Sequence, residues 1–596
     1  MTEASRRAVL AGGVGGLSGW TISRDGRAWA QGQPKRIVGA LEEDPPVICP
    51  PMTSIISSFG AGCAVYGALT WVDSKGNIHP ELAERWEISS DGRTYTFYLR
   101  KNVLWHDDKP FTSEDVKFTM ENVTSKLHPW GRGAFKTLDH VDASDPHIAI
   151  FKLKTPSPAV MKAVNNAIAA ILPKHLWEGT EFVKNPLNKK PIGTGPFKLV
   201  EYVQGDRIRY VKNEKYYIPG QPAFDEMVLR IIPDAAARVA AFEKGEVDML
   251  YNNSMPFTEI ERIKKFPNVE IKASNVSGAA FLGIINCKSK PYDDVRVRHA
   301  VAHGINRAFI RDNVMPGFSE NQVGPLPPAF GTLVNTKLKD YEYDPAKANK
   351  ILDDAGYARK ADGTRFEFRL LWATNDIRIT KMADVIRQNL SDVGIAVSLQ
   401  PLERAALNQK GYIGEQFEMI IDSYAQGPDP DIGTERLYIS TNIHNPPRIF
   451  TNNSSYINPE VDKLFEEQRL QVDPAKRKET YDRISEIVWA AVPVLPILAY
   501  SGVGAFRNTS MTNTFESADA SKDSFARARL PALVSTAAAA SPGGAAPTPS
   551  AGGAGGGGTA TAAIAAAGAA VAAGAYWLWR RKSRGDLDDG LDETRS

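Results

Sequence analysis

The alternation of apolar and polar positions is sharpest between residues 94 and 100. There Tyr95, Phe97 and Leu99 fall on one side of an extended chain, and Thr96, Tyr98 and Arg100 on the other, the period of two that marks a half-buried strand. Just before it, Ser89-Ser-Asp-Gly-Arg93 carries the Asp-Gly chemistry of a tight hairpin turn, and Pro80-Glu-Leu-Ala-Glu-Arg-Trp86 leads into the partner strand. After it the period changes. Pro110-Phe-Thr-Ser-Glu-Asp115 offers Thr112 as an N-cap with Asp115 three residues on, and Val116, Met120 and Val123 form the apolar stripe of the helix that follows.

The same patterns recur along the chain. Strands are predicted at 36–41, 147–152 and 228–232, a helix at 235–242, and a helix within 343–357 that Gly356 stops. Residues 366–372, 379–390 and 394–400 read as strand, helix and strand, a length that implies parallel pairing. A buried strand at 417–422 runs into the loop Ser423-Tyr-Ala-Gln-Gly-Pro-Asp-Pro-Asp431. In Pro191-Ile-Gly-Thr-Gly-Pro-Phe197 the two glycines suggest a sharp turn into a strand. The chain is therefore α/β.

Composition sets the scale. A chain of 596 residues with 43% hydrophobic content holds more than one domain, and a net charge of only +2 gives no footprint for nucleic acid. The three cysteines are too few for a disulfide scaffold. Cys49 and Cys63 are a candidate pair in an oxidising compartment, and Cys287, after an apolar run, reads as a core thiol.

Both ends carry targeting signals. Ser5-Arg-Arg-Ala-Val-Leu10, a Gly-rich apolar run and Ala28-Trp-Ala30 read as a Tat-like signal peptide over 1–30. Residues 535–559 form an Ala/Gly/Pro-rich linker, 560–579 are uncharged and long enough for a transmembrane helix, and the basic tail at 580–596 points to the cytoplasm.

Catalytic motifs are missing. There is no G-x-S-x-G, no H-E-x-x-H, no P-loop and no Cys-His pair. His299 and His303, four apart on one helix face, have no third ligand nearby and read as packed or solvated. No metal or cofactor is expected.

The wording of the blocks is more specific than their physics. P-x-L-A-E-x-W, S-x-D-G-x-T-Y-T-F-x-L-R, V-x-W-H-D and P-F-T-S-E-D-V-x-F occur in order. Ile-Gly-Thr-Gly-Pro-Phe at 192–197, Pro-Tyr-Asp-Asp-Val-Arg at 291–296 and Tyr-Asp-Pro-Ala-Lys-Ala at 343–348 come later. Together they resemble the extracytoplasmic solute-binding proteins of ABC importers, in the family typified by dipeptide-, oligopeptide- and nickel-binding proteins.

That resemblance implies a type II periplasmic-binding-protein-like fold, two lobes with a hinge plus an extra subdomain. Lobe I would span 31–276, with the subdomain at about 63–190, lobe II 277–494, and 495–530 would return to lobe I. It implies a monomer that closes on a small peptide-like or other polar solute and docks on a permease and ATPase complex at the outer face of the cell membrane.

Ligands of open α/β sheets collect beyond the carboxyl ends of strands, which points to the loop at 423–431. In peptide-binding relatives this loop carries an aromatic residue and an aspartate that receives the peptide's amino group. Here Tyr424 supplies the aromatic and Gln426 stands at the aspartate position, giving hydrogen bonds without charge. Further candidates are Tyr66 and Trp71 on the first lobe, Trp372 at a strand end, and Arg404 and Arg436 as carboxylate partners. Asp429 and Asp431, the family's D-P-D motif, read as structural. A membrane-tethered sensor without a transport role and a secreted hydrolase stand as alternatives.

Overall fold

The computed structural model describes residues 20–22, 28–30, 34–251, 254–445, 447–515 and 524–530, all within the first of two compact units, 1–534 and 535–596. The linker, membrane helix and tail expected at 535–596 lie outside the described residues. So does most of the expected signal peptide, of which the short strands Trp20–Ile22 and Ala28–Ala30 pair antiparallel.

Three sheets organise the rest. The first has seven strands in the order Phe197–Val203, Arg207–Lys212, Glu226–Ile231, Arg36–Leu41, Met249–Leu250, Gly502–Arg507 and Val269–Ser274. At its centre Arg36–Leu41 runs parallel to both neighbours, and helix Ala235–Glu243 connects strand Glu226–Ile231 to Met249–Leu250. Both faces of this sheet are covered by apolar clusters, one around Tyr66, Tyr210 and Phe506, the other around Phe242, Leu250 and Val503.

The second sheet has six strands in the order Ser319–Glu320, Val494–Tyr500, Ala279–Ile285, Met419–Ala425, Phe366–Ala373 and Ile395–Leu402. The expected strand, helix, strand unit is present as Phe366–Ala373, Ile377–Asp392 and Ile395–Leu402, with the two strands parallel from Phe366 opposite Ile395 onward. Because both faces are covered, strand Ala279–Ile285 is apolar throughout: Phe281 and Ile285 enter one cluster, Leu282 and Ile284 the other.

The third sheet is antiparallel, four strands in the order Ala83–Ile88, Thr94–Leu99, Ile148–Leu153 and Leu138–Asp145. Tyr95, Phe97 and Leu99 point into its core, and Gly92 holds the turn at φ +65°. Helix Ser113–Phe118 begins at Thr112, whose N–H donates to Asp115 Oδ2 at 2.9 Å.

The chain passes between the two large sheets twice. The first passage runs from Val269–Ser274 to Ala279–Ile285 through Gly278, which adopts φ +61°. The second falls at Ser501, between Val494–Tyr500 and Gly502–Arg507, and not near Val494 as expected. The reason is pairing: Ala499, Leu498 and Val494 lie opposite Ala280, Phe281 and Ile284 in the second sheet, so that strand completes lobe II before the chain leaves it.

Two details differ from the sequence reading, and a third agrees with it. Gly193 and Gly195 are small because the backbone of Val65 lies against them: a Cβ on Gly193 would stand 1.9 Å from the Val65 carbonyl oxygen, and Gly195 N–H donates to that oxygen at 2.7 Å. Cys49 and Cys63 are buried with no disulfide between them, and Cys287 is only partly buried. His299 and His303 hydrogen-bond the carbonyls of Ala490 and Glu342 at 2.7 and 2.8 Å and pack on Tyr341, the packed arrangement the sequence suggested.

Candidate functional site

The lobes meet along a seam with contacts at both ends. At the hinge end, the Arg378 guanidinium of lobe II lies 4.7 Å from the Phe257 ring of lobe I. It is also 4.9 and 5.0 Å from Phe281 and Tyr500, which stack at 4.6 Å. At the far end Ile432 of lobe II joins the apolar cluster of the four-stranded subdomain. Val472 of lobe II approaches so closely that a Cβ on Gly92 would stand 2.4 Å from its Cγ1. The lobes are therefore closed on one another.

Between these contacts lies a cavity of about 40 Å³, lined by Trp71, Trp130, Asn165, Asn166, Val276, Ser277 and Pro428 among others. It takes residues from the first lobe, the hinge and the loop at 423–431, so no segment builds it alone. As the lobes stand here, its volume suits water.

The lobe I wall holds unsatisfied polarity. Trp71 stacks on His79 at 4.4 Å, and the Arg527 guanidinium lies 3.6 Å from the Trp71 ring centre. Asn166, 6% exposed, donates Nδ2 to Glu81 Oε1 at 3.3 Å, while its own Oδ1 has no hydrogen-bond partner among the described residues. Glu81 is 4% exposed and its Oε2 is also unpartnered. Burial pushes the Glu81 carboxyl up to about 7, against the lowering influence of Arg527, Asn166 and Arg100.

The lobe II wall is the loop after strand Met419–Ala425. Gln426 is fully buried; its backbone N–H donates to Gly278 at 3.3 Å and its Oε1 accepts from Thr434 Oγ1 at 2.9 Å, leaving Nε2 unpartnered. Arg436 donates to the Gly433 and Ala425 carbonyls at 3.0 and 3.3 Å and pairs with no carboxylate among the described residues.

The loop is held by buried ion pairs. Asp429 takes two bonds from Arg477 at 2.9 and 2.6 Å, and Asp431 pairs with Arg469 at 3.0 Å, which also reaches Glu435 at 2.6 Å. Burial pushes the Asp429 carboxyl up, and Arg477 beside it more than offsets this, holding it below the ordinary range. Both aspartates of the D-P-D motif thus spend their charge on the scaffold.

Of the residues singled out from the sequence, Trp71 lines the cavity, and Gln426 and Arg436 belong to the loop beside it. Four are scaffold. Tyr424 points into the lobe II core, its hydroxyl 3.1 Å from that of Tyr412, and Tyr412 donates to Asp422 at 2.9 Å. Arg404 is committed to the same Asp422 through bonds of 2.5 and 3.0 Å. Trp372 donates to Thr380 at 3.0 Å inside lobe II, and Tyr66 is fully buried in lobe I. Trp130, Asn165, Asn166 and Glu81 were not anticipated. The one sequence cue was a glutamate wedged between Pro80 and the apolar Leu82.

Two α/β lobes joined by two crossings, with a cavity at the seam, define a bilobal binding protein. The profile of the family described as Bacterial extracellular solute-binding proteins, family 5 Middle, matches residues 77–445. Among curated relatives, Heme-binding protein A of Haemophilus influenzae is 28% identical over 442 residues, 71% of this chain and 79% of the relative. The Dipeptide-binding protein of Escherichia coli is 28% identical over 452 residues, 72% and 81%. Among solved structures, the ABC transporter-associated periplasmic binding protein DppA of Helicobacter pylori in complex with peptide STSA aligns with a TM-score of 0.68 and 26% identity, covering 83% of this chain and 98% of that one. The chain belongs to family 5 of the bacterial extracellular solute-binding proteins, with the type II periplasmic-binding-protein-like fold, and is the solute-binding component of an ABC importer.

Proposed function

We propose that the chain captures a small, dipolar, peptide-like solute between its lobes, without turning it over, and releases it to a membrane permease. The observation that carries this is the seam cavity, walled by both lobes, with the unpartnered Asn166 Oδ1 in its lining and the unpartnered Gln426 Nε2 in the loop beside it. A buried group left unpartnered costs about 1–3 kcal/mol, so a solute that pairs with groups on both walls stabilises the closed form selectively.

The lobe II wall favours a hydrogen-bond acceptor. Gln426 offers Nε2, and Arg436 brings a cation without a carboxylate partner among the described residues. Because Gln426 is neutral, it does not supply the charge that a free ammonium needs, and the solute's carbonyl or carboxylate end fits this side better.

Export through the Tat-like leader at 1–30, and tethering by the uncharged stretch at 560–579 with the basic tail inside, complete the reading. The solute would then be taken up at the outer face of the membrane. Native mass spectrometry of the full chain purified from its own host tests the capture reading. The expected result is an added mass that disappears on mild unfolding and identifies a polar solute. A protein that carries no solute, or one that hydrolyses the solutes offered to it, contradicts it.

A further inference from the structure

The unpartnered polar atoms in and around the cavity divide by sign. Beside it on lobe II the unpartnered atom is a donor, Gln426 Nε2, and the Arg436 guanidinium, bonded to the Gly433 and Ala425 carbonyls, lies nearby in the chain. On the lobe I side they are acceptors, Asn166 Oδ1 and Glu81 Oε2. Asn166 is itself part of the cavity lining, and Glu81 stands one side chain behind it, tied to it by the 3.3 Å bond from Asn166 Nδ2. Glu81 makes no ion pair among the described residues, although its backbone is fixed on both sides: its N–H donates to the Leu69 carbonyl at 3.2 Å and its own carbonyl accepts from Arg100 Nε at 2.6 Å.

We propose that Glu81 and Asn166 form a cation subsite on lobe I, which takes a solute's ammonium or guanidinium group. This rests on the capture reading above and deepens it. Asn166 Oδ1 accepts an N–H from the incoming group, and Glu81 supplies the charge.

The site also has a physical reason to stay intact while empty. An ionised carboxylate with one long hydrogen bond is costly to bury, and the cavity avoids this by keeping the proton on Glu81, whose carboxyl burial has pushed up to about 7. The groups that act on that carboxyl are Arg527 and Arg100 from two sides, the Asn166 amide, the Ala68 backbone, and the paired phenols of Tyr216 and Tyr217. A bound cation stabilises the ionised form, so near neutral pH one proton leaves Glu81 as the cationic group enters. Charge in the site is conserved.

The consequence is a polarity opposite to that implied for peptide-binding relatives, in which the lobe II loop receives the amine. Here the cation lies against lobe I and the acceptor end against Gln426.

Calorimetry on the full chain tests this with three probes: alanyl-alanine, 4-guanidinobutyrate, and N-acetyl-alanyl-alanine, which keeps a carboxylate and lacks a cation. At least one cationic probe is expected to bind, and the acetylated one at least about ten-fold more weakly. In two buffers of different ionisation heat near neutral pH, binding of the cationic probe should release protons. Glu81→Gln should weaken that probe about ten-fold, abolish proton release and leave the acetylated probe unchanged. Asn166→Ala should weaken the same probe while keeping proton release, which covers the case of a Glu81 variant that does not fold.

If neither cationic probe binds, if the acetylated probe binds equally well, or if Glu81→Gln binds as the parent does, the subsite is wrong. A co-purified solute without any cationic nitrogen overturns the subsite and leaves the capture reading standing. A chain that carries no solute and binds no probe overturns both.

Discussion

Replacing Glu81 by glutamine has a calculable effect on stability before any solute is added. The side chain is buried within lobe I, and its carboxyl, ordinarily near 4.5, titrates at about 7 in the folded chain, chiefly because burial penalises the charged form. Between those values the folded state holds a proton that the unfolded state has given up. Stability contributed by Glu81 is therefore fully present below about 4.5 and is lost as the pH rises through about 7. At about 1.4 kcal/mol per pH unit the interval corresponds to about 3 kcal/mol, an upper figure because a carboxylate so placed draws in Arg527 and Arg100.

Glutamine is uncharged at every pH, and its amide can donate to the free Asn166 Oδ1. Urea unfolding at about pH 5 and about pH 8, followed by tryptophan fluorescence, should show the parent losing stability across the window and Glu81→Gln losing about 2.5 kcal/mol less. Parallel pH profiles for the two proteins would refute the burial argument. So would a variant weaker than the parent by the same amount at both pH values.

Three other perturbations bear on the scaffold. Arg477→Met leaves Asp429 buried without its cation and should cost about 3–5 kcal/mol in a denaturant titration, with Asp429→Asn in the same chain recovering most of the loss. Tyr412→Phe removes one hydrogen bond from Asp422 and one from Tyr424, so stability should fall by about 1–2 kcal/mol while solute affinity measured by calorimetry stays the same. Gly92→Ala places a Cβ at φ +65° and 2.4 Å from Val472 Cγ1. It should strain the hairpin by about 1 kcal/mol and weaken solute affinity several-fold by opposing closure, with Val472→Ala restoring part of the affinity.

The legible parts of this fold are those set by near neighbours. The Asp-Gly hairpin, the Thr112–Asp115 cap and the parallel unit from Phe366 to Leu402 each declare themselves within a short window, and each is present. Strand Met419–Ala425 shows where such reasoning stops. It is covered on both faces, so the alternation that places Asp422 and Tyr424 together does not say which side is cleft and which is core. Tyr424 fell on the core side, where Arg404, Tyr412 and Asp422 share one network.

The cavity was less legible still, because its walls come from 71–72, 130, 165–168, 276–277 and 428, segments brought together only by closure of the lobes. Glycines were misleading in one respect. Gly193 and Gly195 looked like turn residues, and they serve instead to let two backbones touch at Val65.

The central claim is that this chain feeds an importer by closing on a polar solute. Uptake of the co-purified solute, isotope-labelled, by cells that carry the intact chain and by cells that lack it measures this most directly. The account predicts uptake that is lost without the chain, restored by the parent sequence, and restored only weakly by a Gln426→Leu form, which removes the lobe II donor. Uptake that proceeds equally well in cells lacking the chain would contradict it.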